Sequence, residues 1–150
     1  MEMKYEVEFE TDYNQFFIQD KNSAHDTGSP NFWNPDTYED RMAVGDQILG
    51  VGTETSGGIN VELYMLDSQV VDTYNFEHYS HIVEGPIALK SGTLQILNCP
   101  DNEVKLEIKL NPGEYRVRVY TALEDNTSDY DLYKIEIWKE NLKPSKVLKS

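Results

Sequence analysis

The chain opens on a strict alternation. In Met3-Lys4-Tyr5-Glu6-Val7-Glu8-Phe9-Glu10, apolar and charged residues exchange at every step. A period of two belongs to a strand. It puts Met3, Tyr5, Val7 and Phe9 on one face and Glu6, Glu8 and Glu10 on the other. Further strands are predicted at 14–19, at 80–84 around Ile82 and Val83, and at 132–138. In the last, Tyr133, Ile135 and Ile137 alternate with Lys134, Glu136 and Trp138. Turn residues separate these runs, and strand register then predicts hairpins. A loop at Ser91-Gly92 sets Leu89 opposite Leu94 and Ile87 opposite Ile96. A loop at Asn111-Pro112-Gly113-Glu114 sets Ile108 by Val117, with Leu106 by Val119 and Leu110 by Tyr115. At Ser56-Gly57-Gly58, a three-residue loop with a glycine bulge sets Thr53 by Val61 and Val51 by Leu63. Eight or nine short strands with regular turns predict an all-β chain folded as an antiparallel β-sandwich. At most one short helix is expected, near Asp36–Val44 after Pro35. Segment 20–34 reads as a surface loop. The expected core is Phe9, Phe16, Ile18, Leu63, Ile96, Leu106, Ile108, Val117, Val119, Ile135 and Ile137.

Length changes this picture little: 150 residues suit one domain with a core of its own. We place that domain at 1–140 and a basic, frayed tail at 141–150. Charge changes it more. The net charge is −14, and residues 1–100 hold 17 acids against 4 bases, while residues 101–150 hold 10 against 9. Acidic side chains along a strand stand roughly 6.6 Å apart, twice the rise per residue. Rows of carboxylates repel nucleic acid and membrane surfaces and attract a basic protein. No apolar run approaches the roughly 20 residues of a membrane span, and the acidic opening has no signal-peptide character. The single cysteine, Cys99, rules out an intramolecular disulfide and fits a reducing cytoplasm.

Catalytic chemistry is absent from the pattern. There is no phosphate loop, Gly-x-Ser-x-Gly or Cys-x-x-Cys. Cys99 reads as passive. His78 and His81, with Glu77 and Glu84 nearby, lack the third and fourth ligand spacing of a zinc site. Acid pairs such as Asp12 with Asp20, or Glu54 with Glu62, carry no sign of the separation and raised pKa that glycosidase chemistry requires. Arg116 and Arg118 share a strand face and are expected to pair with Glu107 and Glu136. The chain is therefore read as a non-enzyme with no cofactor and no metal.

Tyr13-Asn14-Gln15-Phe16 after the first strand, followed by an apolar stretch and Asp20, resembles the opening of the competence protein J family. Pro112-Gly113-Glu114-Tyr115 entering a strand, and Asp131-x-Tyr133 leading to Ile135, extend the likeness to the other end. About half the chain is covered, and none of the matching motifs is catalytic. The resemblance implies a small cytoplasmic β-sandwich that inhibits a nuclease, as the family's known bacterial member inhibits a DNA-entry nuclease.

A nuclease that holds polyanionic DNA has a basic cleft. The first reading is thus an inhibitor or immunity-type partner of a basic nuclease. Its expected docking residues are Glu6, Glu8, Glu10, Asp12, Asp36, Glu39 and Asp40, with Trp33 or Tyr38 as aromatic anchor. The alternative is a sandwich that binds a small molecule or carbohydrate through exposed aromatics, with Trp33, Tyr74, Tyr79 and Trp138 as candidates.

Overall fold

The alternation of the first strand survives in three dimensions. Along β1 (Met3–Thr11), Glu6, Glu8 and Glu10 are exposed, Tyr5 and Val7 are half-buried, and Phe9 is buried. The structure, a computed structural model, describes residues 3–23, 32–54, 56–68, 74–99, 101–123 and 130–150, except the side chains of Tyr74 and Asn75. Most of the expected loop at 20–34 therefore lies outside the described residues. Its two ends are not loop surface, since Asp20 and Phe32 are both buried.

Among the described residues eleven strands form, not eight or nine. After β1 come β2 (Gln15–Asp20), a helix α1 (Pro35–Asp40), β3 (Met42–Gly45), β4 (Ile48–Gly52) and β5 (Gly57–Met65). A 3-10 turn at Tyr74–His78 leads to β6 (Tyr79–Leu89), β7 (Thr93–Leu97), β8 (Val104–Lys109), β9 (Gly113–Ala122), β10 (Asp131–Lys139) and β11 (Lys146–Lys149). They make two sheets, one ordered β1-β5-β10-β9-β6-β11 and one ordered β3-β4-β2-β7-β8. Neighbours run antiparallel with one exception: β5 and β10 are parallel, Val61 lying beside Tyr133. A single apolar cluster draws on both sheets, with Phe16, Ile18, Leu49, Leu94 and Ile96 from one and Ile59, Leu63, Val117, Ile135 and Ile137 from the other. Of the expected core only Leu106 is less than buried.

All three expected hairpins are corrected. β6 pairs with β9 and β11, while β7 pairs with β2 and β8, so Leu89 and Leu94 belong to different sheets. The same holds for Ile108 and Val117 and for Val51 and Leu63, while Thr53 lies just past the end of β4, in neither sheet. Each turn carries the chain across the core instead of back along its own sheet. Asp20, fully buried at the end of β2, shows how one crossing is held. Its carboxylate accepts hydrogen bonds from Ser91 N at 3.0 Å, Ser91 Oγ at 2.8 Å and Asn22 N at 2.9 Å. Leu110 N then donates to Gly92 O at 2.7 Å, which ties the β6–β7 crossing to the β8–β9 crossing. Gly92 sits at φ 82°, and a Cβ there would lie 2.6 Å from the Leu110 carbonyl oxygen.

The expected helix over 36–44 is also shorter. It starts at Pro35, with Asn34 as N-cap, and stops at Arg41 in the left-handed region. Met42–Gly45 then form β3. In the tail read as basic and frayed, Lys146–Lys149 add β11 to the sheet edge beside β6.

On the face of the six-stranded sheet turned away from the core lies a buried ionic group. Glu84 accepts from Arg116 Nε at 2.7 Å and from an Arg118 terminal nitrogen at 3.4 Å. The expectation placed Glu107 and Glu136 in this role, and Glu136 does lie directly across from Arg118 on β10, both bonded to the Tyr120 hydroxyl. Glu107 lies instead on the other sheet, where Gln95 donates to it at 2.8 Å. Arg116 also donates to the Lys143 carbonyl at 2.8 Å, which pins the segment before β11 over this face. Arg118 stacks 5.2 Å from the Trp138 ring.

Candidate partner-binding site

The acidic strand lies at a sheet edge and ends in the turn Asp12–Asn14. Across β1 the register sets Glu6 beside Glu62, Glu8 beside Asn60 and Glu10 beside Gly58. Lys4 reaches Glu62 at 3.5 Å, so the one base of the strand serves its neighbour. Glu6, Glu8, Glu10 and Asp12 all remain exposed. The end of the strand is fixed to the other sheet: Asp12 N donates to the Cys99 carbonyl at 2.9 Å, and Thr11 Oγ1 donates to the Gln15 carbonyl. Cys99 is buried there, and burial pushes its thiol pKa up, which keeps it protonated.

A second apolar cluster sits on the outer face of the five-stranded sheet: Phe17, Phe32, Ala43, Ile48, Leu97 and Cys99, with Trp33 packed at its rim. Phe32 and Trp33 lie so close over Gly50 that a Cβ there would meet both rings at 2.8 Å. That approach aims the chain into α1. Asn34 caps the helix reciprocally, its Oδ1 accepting from Thr37 N and its own N–H donating to Thr37 Oγ1, both at 2.9 Å. Asp36, Tyr38 and Glu39 stand exposed on this short helix, and Asp40 is half-buried.

Between the β1–β2 turn, α1 and the end of β4 opens a pocket of about 420 Å³, lined by Tyr13, Asn14, Gln15, Trp33, Tyr38, Arg41, Gly52, Thr53 and Glu54. Three of these residues hold left-handed backbone: Tyr13 at φ 58°, Asn14 at 55° and Arg41 at 61°. Asn tolerates that region, whereas Tyr and Arg are held there at a cost of order 1–3 kcal/mol each. The surrounding bonds are Thr53 N to Asn14 O at 2.8 Å, Gly52 N to Arg41 O at 2.9 Å and Ser56 Oγ to Asn14 Oδ1 at 2.5 Å. Strained backbone gathered around one concavity marks a place the fold over-determines.

The expected docking residues thus fall into two groups that meet at the β1–β2 turn. The carboxylates of β1 lead to Asp12, and Tyr13 beside it lines the same pocket as Trp33 and Tyr38. Sequence reading missed Tyr13, Asn14, Arg41 and Glu54. The available signal was Tyr13-Asn14 between two strands, where Asn favours a left-handed turn. The aromatics of the carbohydrate reading are not brought together. Trp138 is buried under Arg118, Tyr79 packs on Tyr120 at 4.8 Å, and the side chain of Tyr74 lies outside the described residues.

His81 supports α1 from below, its Nε2–H donating to the Asp40 carbonyl at 2.8 Å. Burial lowers its pKa, and Arg41 adds to the shift, against Asp40 and Glu54. His78 is exposed beside Glu77, and among the described residues no group of three or more His, Cys, Asp or Glu is placed to hold a metal ion. A base whose folded pKa is depressed binds its proton more readily in the unfolded chain. The stability it confers is full above the unfolded value near 6.5 and is lost as pH falls through the lower folded value. Denaturant midpoints taken between pH 7.5 and 5 should therefore fall more for the wild type than for His81→Gln. Parallel pH profiles would show that folding leaves the His81 pKa where it is in the unfolded chain.

Among the described residues no helix is long and apolar enough to cross a membrane. No protein-family profile and no curated protein sequence matches the chain. Two solved structures share its fold. One is the crocagin biosynthetic gene J product, 16% identical, with a TM-score of 0.62 over 94% of this chain and 99% of that one. The other is ComJ, inhibitor of the DNA-degrading activity of NucA from Bacillus subtilis, 19% identical, with a TM-score of 0.74 over 93% of this chain and 99% of that one.

Proposed function

We propose that this chain is a non-enzymatic, cytoplasmic inhibitor that binds a basic nuclease, and that its two sheets serve as a sandwich-like mount for the docking surface. The observation that carries this reading is the exposed carboxylate row of β1 running into an aromatic-walled pocket, on a fold that ComJ also uses. Glu6, Glu8, Glu10, Asp12, Asp36, Glu39 and Asp40 supply the field that draws in a basic cleft. Trp33 and Tyr38 supply the contact that excludes water. Nucleic acid and anionic membrane are repelled by the same field.

The test is direct. Purified chain is mixed with a basic nuclease from its native cytosol, and degradation of plasmid DNA is followed at low and high salt. Inhibition in proportion to the chain added, weakening as salt rises, is the expected result, because exposed charges are screened beyond about 8 Å at physiological ionic strength. Undiminished cleavage under both conditions, with every such nuclease, would reject the reading.

A further inference from the structure

We propose that the pocket beside the β1–β2 turn is a socket for an arginine side chain of the partner, an inference that builds on the inhibitor reading. Glu54 is the reason to expect a cation. Its backbone is fixed by a hydrogen bond from Glu54 N to the Tyr133 hydroxyl at 2.9 Å. Its carboxylate is bonded on one oxygen only: Ser80 Oγ donates to Oε1 at 2.8 Å, and an Arg41 terminal nitrogen reaches the same atom at 3.4 Å. Oε2 has no partner among the described residues. Gln15 Oε1, in the same wall, is a buried acceptor without a hydrogen bond.

The walls select which cation. Tyr13 and Tyr38 are each 71% exposed at the mouth, and Trp33 closes one side. Aromatic faces attract cations, and a planar guanidinium stacks flat on them while its edge offers a carboxylate a fork of parallel N–H donors; an ammonium is a point charge without that fork. Asp12 adjoins Tyr13 in sequence, and Asp36, Glu39 and Asp40 surround Tyr38, against a single base, Arg41. The local field therefore favours a cationic guest over an anionic one. The pocket volume lies within the roughly 300–1,000 Å³ of small-ligand sites. An arginine from the partner would lie between the tyrosines and donate to Glu54 Oε2, displacing little, since the hold of Arg41 on Glu54 is one long contact on the other oxygen.

The experiment titrates the intact chain with N-acetyl-arginine amide and follows the side-chain NMR signals of Trp33 and Tyr38. Saturable shifts are expected, with N-acetyl-lysine amide binding about fivefold more weakly or worse. Glu54→Gln and Tyr38→Ala should each weaken the arginine probe by about fivefold. Tyr38 projects from a helix with no buried residue, so its loss leaves the fold intact. No saturation, equal response to lysine, indifference to both substitutions, or saturable binding of glucose in place of the arginine probe would each overturn the socket. The inhibitor reading is judged separately by the nuclease assay. A chain that inhibits yet ignores arginine amide loses only the socket, and one that binds arginine amide yet inhibits nothing loses only the nuclease.

Discussion

Replacing Glu84 by Gln should cost about 3–5 kcal/mol of folding stability, the usual result of stripping one partner from a buried ion pair. Glu84, Arg116 and Arg118 are 6%, 4% and 3% exposed, so solvent cannot replace the lost charge. The amide leaves two guanidiniums side by side on β9 without their shared buried anion, Glu140 reaching Arg116 only at 3.8 Å. Such a loss is a large part of the roughly 5–15 kcal/mol that holds a domain together. It should appear as a lower urea midpoint and as release of the segment 140–145, because Arg116 also holds the Lys143 carbonyl. Replacing all three residues by Met or Leu should recover much of the loss, since a well-packed apolar patch avoids the desolvation of ions. A loss under about 1 kcal/mol for Glu84→Gln would place the pair in the class of exposed salt bridges and show that water enters the face.

Converting Glu6, Glu8 and Glu10 together to Gln should slow association with a basic nuclease about tenfold or more at low salt, within the range attributed to electrostatic steering. The change moves the net charge from −14 to −11 and leaves the inward residues Tyr5, Val7 and Phe9 untouched. Folding should not suffer, since Glu6 stands beside Glu62, a like charge that the substitution removes. Dissociation should change far less than association, because rim charges act mainly on encounter. Stopped-flow rates at low and high salt separate the cases. An association rate indifferent to both salt and the three substitutions would remove β1 from the docking surface.

What the sequence made legible was which way each side chain faces. What it concealed was which strand lies alongside. Leu89 and Leu94 are both fully buried, as a hairpin at Ser91-Gly92 requires. Two strands facing each other across a core require the same thing. Alternation therefore cannot tell a turn that folds back from one that crosses over. The deciding contacts, Asp20 to Ser91 and Leu110 to Gly92, join residues far apart in the chain. The true β3–β4 hairpin was hidden for a different reason. Its turn, Asp46-Gln47, places Gln47 at φ 60° where Asn or Gly would have announced it. The helical reading of 36–44 then absorbed Met42 and Val44. In the site, the acidic residues were visible as a charge pattern. The pocket was not, because its walls come from a turn, a helix and a strand end that only the fold brings together.

The parallel pairing of β5 with β10 sets the order in which this protein becomes useful as it is made. Within its sheet β1 is hydrogen-bonded to β5 alone. The other edge of β5 stays open until Asp131–Ile137 arrive to lie along Ile59–Met65, within the last twenty residues of the chain. Pairings between such distant segments form late, after the entropy of closing the intervening chain has been overcome. Until that pairing forms, the strand that carries the acidic row is held on one side only. A chain cut before Asp131 carries every residue of the proposed docking surface but leaves β5, which bears β1, without its second neighbour.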